Sequence, residues 1–179
     1  RYGLPAPDHP ILRSHPIMNT QVLHHLRHGD LQVRPDVRAL RWHEVEFTDG
    51  STEEIDLIVW ATGYERVYPF LAAEDLDLRE GALDFYLNVF HRRYPDLFVI
   101  GLFETDRAAY GLFGAQAELI AAYLEVRSEG TADVFDRLRI EDRPDLRGGR
   151  KYLSSARHAY YVKGDVYERA LRRARSRLE

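Results

Sequence analysis

Few side chains in this sequence have the types and spacing that chemistry needs. There is no cysteine. Thiolate zinc sites, Cys-X-X-Cys redox centres, disulfide frameworks and cysteine nucleophiles are therefore excluded. His24 and His28 stand four apart, a spacing that metal sites use on a helix. Asp30 is the only nearby carboxylate, and a metal needs three or four converging ligands. A solvated helix face is the better reading, and no metal is expected. Ser154 and Ser155 with His158 could be written as part of a triad, but the sequence holds no Gly-X-Ser-X-Gly elbow. Asp75 with Asp77, or Glu53 with Glu54, could be called carboxylate pairs. Nothing in the sequence buries them or sets a partner opposite, so they read as surface acids. The more informative stretch carries no acid or base. It is Ala61-Thr62-Gly63, three small residues directly after the apolar run Leu57-Ile-Val-Trp60.

That run fills both alternation phases with apolar side chains, the pattern of a parallel strand covered on both faces. Open α/β sheets place ligands beyond the carboxyl ends of such strands. Gly63 can take a positive φ or let a ligand approach the backbone. An ordinary glycine turn after an apolar strand would look the same. A second run, Leu97-Phe-Val-Ile-Gly101, is built like the first. A small loop is expected over residues 111–114 and a helix over residues 115–127, with Leu119, Ile120, Tyr123 and Leu124 as its apolar stripe. Strand, glycine, loop and helix together make half a nucleotide-binding unit. The helix amino end would offer free N–H groups and a positive dipole to an anion or an electron-rich ring.

The elements before and after are simpler. Three prolines among the first ten residues break any regular structure there. Asn19 or Thr20 caps a helix reaching His28 and closed by Gly29, with Val22, Leu23 and Leu26 as its buried stripe. Residues 31–34 read as a short strand. Residues 37–42 and 44–48 alternate in a two-residue period around turn signals, which predicts a small antiparallel meander. Residues 72–81 read as an acidic surface turn and residues 85–90 as a strand. A short helix is expected over residues 134–140, a loop over 142–151 and a last helix over 165–178. From Arg139 onward twelve Lys and Arg face six Asp and Glu, but the interleaving of the two signs favours a solvated helix over a nucleic-acid surface.

Composition limits the class. The chain has 179 residues, is 45% hydrophobic and 30% charged, and carries a formal net charge of -4. That describes a globular protein with no general attraction to nucleic acid or anionic membrane. The opening residues lack a signal-peptide pattern, and the apolar runs are too short to span a bilayer. A cytoplasmic protein is the expectation.

Residues 56–71, Asp-Leu-Ile-Val-Trp-Ala-Thr-Gly-Tyr-Glu-Arg-Val-Tyr-Pro-Phe-Leu, resemble the Asp, Ala-Thr-Gly-Tyr and Phe-Pro-Phe-Leu signature of flavin-containing monooxygenases. Tyr68 stands where that family usually has Phe. Residues 87–90 followed by 97–102 resemble its next block, a Val-Phe segment and a strand ending in Gly-Leu. Gln116 with Ala117 resembles the Gln-Ala of its last flavin-side helix, and Gly114 stands where that helix usually carries Glu. The similar blocks extend from about His15 to Leu124.

The resemblance implies an α/β protein with part of a two-dinucleotide-binding-domain flavoprotein fold. Such a part holds parallel-sheet ends, a small antiparallel meander and C-terminal helices. Residues 1–63 would end an NADPH-binding domain, residues 64–130 would end an FAD-binding domain, and residues 131–179 would be a C-terminal helical extension. The cofactors implied are FAD and NADPH. The flavin takes hydride from NADPH, reacts with oxygen, and oxygenates a small soft nucleophile, an amine or a sulfide, or inserts oxygen beside a ketone. Cofactor-binding roles fall on Ala61, Thr62, Gly63 and Tyr64 between the two cofactors. Gly101 and Leu102 would approach the flavin by backbone, and Gln116 would stand at the start of the helix aimed at its ring. No catalytic acid, base or nucleophile is implied, since the cofactor carries the reaction.

This sequence contains no Gly-X-Gly-X-X-Gly, the phosphate cradle that each domain of the family opens with. The chain therefore reads as a carboxyl-terminal part whose amino-terminal portion lies in cis or in another chain, and which is inactive by itself. Two alternatives stay open. One is another two-domain flavoprotein, such as an N-hydroxylating monooxygenase or a pyridine-nucleotide reductase. The other is a non-catalytic remnant acting as a binding module.

Overall fold

A computed structural model describes residues 2–14, 19–76, 78–79 and 82–179. Side chains of Ala73, Leu78 and Arg157 are not described. Expectations that touch His15, Asp77 or Gly81 lie outside the described residues. The chain divides into two units between Tyr68 and Pro69, with residues 11–14 belonging to the second.

In the first unit, helix α1 (Gln21–His28) begins and ends where its sequence signals stand. The Asn19 side-chain oxygen accepts the N–H groups of Gln21 at 2.8 Å and Val22 at 3.4 Å, satisfying donors that a helix start leaves free. Gly29 closes it in the left-handed region at φ 81°, which glycine adopts without a Cβ penalty. The stripe is not buried, however. Val22 and Leu23 are exposed and Leu26 only half-buried, because no described element of the unit lies over them.

The meander forms as expected. Strands β1 (Val37–Arg41), β2 (Glu44–Phe47) and β3 (Thr52–Glu54) pair antiparallel in that order. Val45 and Phe47 alternate inward from β2 and are the unit's only buried residues among those described. Residues 31–34 form no strand.

The expected central strand is also absent. Residues 57–60 have no regular structure, and Leu57, Val59 and Trp60 are 77%, 78% and 68% exposed. The chain leaves the sheet after the Ile55 N–H bonds the His43 carbonyl at 2.7 Å. A ribbon apolar in both phases needs cover on both faces, and no described strand of this unit pairs with it.

The second unit holds the core. Two short strands, β4 (Leu78–Arg79) and β5 (Ala82–Leu83), form a small antiparallel pair. Residues 85–90 form a tight turn instead of the expected strand. Leu87 and Asn88 both stand at φ 54°, the left-handed pair of a type I′ turn, and Tyr86 and Phe90 bridge across it. Residues 97–101 are likewise no strand, and only Phe98 makes a bridge, to Phe90. The parallel pairing in this unit lies elsewhere, between β6 (Glu104–Thr105) and β7 (Tyr161–Val162).

Helix α2 (Tyr110–Ser128) starts earlier than its apolar stripe suggests, so Gly111 and Gly114 are helical and not a loop. It buries Leu112, Gln116, Leu119 and Tyr123. Ile120 is half-buried and Leu124 exposed. Helix α3 (Asp133–Glu141) follows. Helix α4 (Gly164–Arg175) is more than a solvated basic helix, since it turns its arginines outward but buries Tyr167, Leu171 and Ala174. That i, i+4, i+7 stripe packs on α2. Phe90 sits at the centre, edge-on to Phe98, Tyr123 and Phe135 with ring centroids 5.5, 5.3 and 5.1 Å away, a favoured aromatic arrangement. The fold is mixed α/β, with small antiparallel and parallel sheets and C-terminal helices.

Candidate functional site

The sequence-predicted site residues separate into two groups. Ala61, Thr62, Gly63 and Tyr64 lie in the first unit, and all four are exposed. Gly63 has φ 98°, and a Cβ built on it would meet nothing within 4 Å. The turn thus uses the freedom of glycine and presents open backbone.

Gly101, Leu102 and Gln116 lie in the second unit, where Gly101 and Gln116 are brought into contact. The Gly101 N–H donates to the Gln116 Oε1 at 2.9 Å. Gly101 has φ 87°, and its missing Cβ would stand 3.6 Å from the Phe113 ring. Its carbonyl accepts from the Phe103 N–H at 2.8 Å. Both backbone groups of Gly101 are therefore engaged, and the residue is held in a left-handed turn. Leu102 turns inward and is buried.

Gln116 is wholly buried, one full turn or more inside α2 and not at its start. Its role is correspondingly different from aiming the helix end. Its Nε2 donates to the Tyr167 hydroxyl at 2.6 Å, and that hydroxyl donates to the Leu87 carbonyl at 2.6 Å. Burial pushes the Tyr167 phenol far above the ordinary tyrosine range, so it keeps its proton and can serve as this donor. A buried amide is costly unless its groups find partners; here both ends of Gln116 do. Sequence reasoning missed Tyr167 and Leu87. The available signal was the Tyr167, Leu171, Ala174 stripe on a helix otherwise crowded with arginine.

The amino end of α2 carries no side-chain cap at Ala109. The Leu112 and Phe113 N–H groups of its first turn bond the Ala109 carbonyl at 2.9 and 3.1 Å, and Phe113 lies against the Gly101 position. Gly101 without a Cβ, the half-buried Phe113 ring and the uncapped start of α2 lie together.

A second polar network holds residues 91–94 against α3. Buried Arg139 on α3 donates to the His91 and Arg92 carbonyls, each at 2.6 Å, and pairs with Asp136 at 2.9 Å. Arg92 donates to the carbonyls of Arg139, Ile140 and Asp142 at 2.8, 3.1 and 3.0 Å, filling the acceptors at the carboxyl end of α3. His91 Nε2 lies 2.8 Å from the Asp75 carbonyl, while its Nδ1 accepts from the Arg93 and Tyr94 N–H groups, each at 3.0 Å. That pattern fits the neutral Nε2–H tautomer.

The other candidates are local. Ser155 Oγ does lie 2.7 Å from His158 Nδ1, in a cavity of about 520 Å³ also lined by Arg79, Arg147 and Tyr152. The contact follows from the 3₁₀ turn Ala156–His158, which brings residues three apart together. Asp84, also on the lining, is held by Arg92 and Arg143 at 2.9 Å each. His24 and His28 stack at 4.3 Å, and His28 Nδ1 bonds the His24 carbonyl at 2.8 Å. Among the described residues no three His, Asp or Glu side chains converge as a metal site would, and no helix is long and apolar enough to cross a membrane.

Comparison with known proteins now decides the family. The flavin-binding monooxygenase-like family model matches residues 1–127. The chain belongs to that family. Flavin-containing monooxygenase 1 of Sus scrofa is 34% identical over 104 residues, 56% of this chain and 19% of the relative. The N-oxide-forming dimethylaniline monooxygenase 2 of Rattus norvegicus is 34% identical over 106 residues, 58% of this chain and 20% of its own. Indole-3-pyruvate monooxygenase YUCCA4 of Oryza sativa subsp. japonica is 34% identical over 80 residues, 41% of this chain and 18% of its own. The chain therefore spans about a fifth of the length of these relatives. The family match runs through both predicted loops and Gln116, and it stops before α3, β7 and α4.

Proposed function

We propose that this chain is the carboxyl-terminal part of an FAD- and NADPH-dependent monooxygenase that oxygenates a soft nucleophile, an amine or a sulfide, or a ketone. The observation that carries the reading is the family match over residues 1–127, which takes in the loop at Gly63 and the turn at Gly101. In this reading the first unit finishes the NADPH-binding domain and the second finishes the FAD-binding domain. Neither phosphate-binding loop is in this sequence, so the 179 residues alone are inactive.

The flavin, when bound, supplies the redox and oxygen chemistry. The residues of this chain position it and keep water away. Gly101 offers a surface without a side chain, and Leu102 seals the turn from below. The α2 amino end presents its positive dipole, which favours an anionic ring. Ala61, Thr62 and Gly63 leave space for the nicotinamide cofactor, with the exposed Tyr64 next in the chain. The exposed ribbon 57–60 becomes a covered strand when the rest of the protein pairs with it.

The test uses the complete protein. It should carry flavin absorbance and oxidise NADPH; a colourless protein that ignores NADPH would refute the reading. Gly63→Val should slow NADPH-dependent flavin reduction, because a branched Cβ closes the approach and disfavours positive φ. Unchanged reduction kinetics in a folded variant would remove that role from Gly63.

A further inference from the structure

The family match ends at residue 127, yet a fully buried polar contact of the second unit comes from beyond it. Tyr167 on α4 is wholly buried, as is Gln116, and Leu87 is nearly so. Four groups form one directed chain. The Gly101 N–H donates to the Gln116 oxygen, the Gln116 amide donates to the Tyr167 hydroxyl, and that hydroxyl donates to the Leu87 carbonyl. Both ends of this chain lie in left-handed turns, Gly101 at φ 87° and Leu87 at φ 54°. A non-glycine residue at positive φ persists only where its surroundings over-determine it.

The direction of the chain is forced. A glutamine has one oxygen and one NH₂ group. Its NH₂ must face Tyr167 if its oxygen is to meet an N–H donor. The phenol must then spend its single proton on a carbonyl, and Leu87 supplies that carbonyl. Without the hydroxyl, Gln116 has no partner for its NH₂ and loses the reason to hold its oxygen toward Gly101. The ring is fixed as well, by Phe103 at 5.1 Å and by its place in the α2–α4 packing.

We infer that Tyr167 is a positioning residue for the flavin-facing turn: through Gln116 it sets the orientation of Gly101, so helix α4 tunes cofactor retention although it lies outside the family match. This rests on the flavin reading above. It assigns α4 a task that its arginine-rich sequence does not suggest.

The experiment compares Tyr167→Phe, Gln116→Leu and Leu171→Ala in the complete protein. Leu171→Ala loosens α4 without touching the chain of hydrogen bonds, and so reports a merely structural role. Two readouts are taken, both well below the unfolding temperatures. The first is amide hydrogen exchange at Gly101, normalised to the buried turns of α2. The second is the FAD dissociation constant from fluorescence quenching.

Tyr167→Phe should speed Gly101 exchange about tenfold and weaken FAD binding about tenfold, the loss expected when buried hydrogen-bonding groups are left unpaired. Gln116→Leu should match it, and the double variant should be no worse than Gln116→Leu alone. Leu171→Ala should lower the unfolding temperature yet leave both normalised values within about threefold. Fast Gly101 exchange with unchanged FAD affinity in Tyr167→Phe would overturn the inference and leave the flavin reading standing. Unchanged exchange would overturn it outright. A native protein that binds no FAD would bring down the flavin reading itself, and the inference with it. Should Tyr167→Phe fail to fold, unchanged Gly101 exchange in Gln116→Leu would still overturn the inference.

Discussion

Two stretches of this chain look alike as sequence and end up unlike as structure. Residues 57–63 and 97–101 are each an apolar run finishing in glycine. Neither is a strand. The second is nevertheless anchored: Phe98 bridges Phe90, the Val99 N–H bonds the Val89 carbonyl at 2.8 Å, and Gly101 is gripped by Gln116. The first lies open, with Leu57 and Val59 more than three-quarters exposed. The difference is not in the runs but in what their units offer them. The second unit has an aromatic core and two long helices to fold around its run. The first has a three-stranded meander whose inward face holds Val45 and Phe47. An apolar run becomes a structural element only when partners cover it, so propensity alone decides little.

The largest effect should separate the two stretches directly. Phe90→Ala removes the ring at the centre of the second unit and should cost about 3–5 kcal/mol, read by denaturant unfolding. Trp60→Ala in the same 179-residue chain should stay within about 0.5 kcal/mol, because the ring is already in water. Equal losses would break the comparison.

A smaller effect sharpens it. Arg139→Met should destabilise the second unit by about 1–3 kcal/mol, because the buried His91 and Arg92 carbonyls lose their donor. The first unit, which lacks a buried charge network of this kind among its described residues, should unfold as before. Thermal unfolding monitored separately in each unit checks this.

The smallest is a matter of pH. Burial, with the Tyr123 hydroxyl donating to Asp136 at 2.8 Å, pushes the Tyr123 phenol up to about 12 from its usual 10. The unfolded chain releases that proton first, so stability from Tyr123 is intact below pH 10 and is lost as pH rises through about 12. Tyr123→Phe should flatten part of the fall in melting temperature over that window.

What the sequence disclosed follows the same division. Helix α1, its Asn19 cap and Gly29 stop, the meander and α3 were legible because short-range signals define them. The start of α2 was misread because Gly111 and Gly114 looked like a loop, whereas packing carries the helix through them. Of the site, Gly101 and Gln116 were legible as candidates through the family's residue pattern. The contact that joins Gln116 to Tyr167 spans 51 residues, and no local pattern encodes a partner at that distance. The turn at Leu87 was hidden for a related reason: only tertiary contacts justify positive φ at leucine.

The most direct test of the account is hydrogen exchange on the complete protein with and without FAD and NADPH. The account predicts that FAD slows exchange at residues 101–102 and that the nicotinamide cofactor slows it at residues 61–64. Exchange that stays the same at both places in the presence of bound cofactors would contradict it.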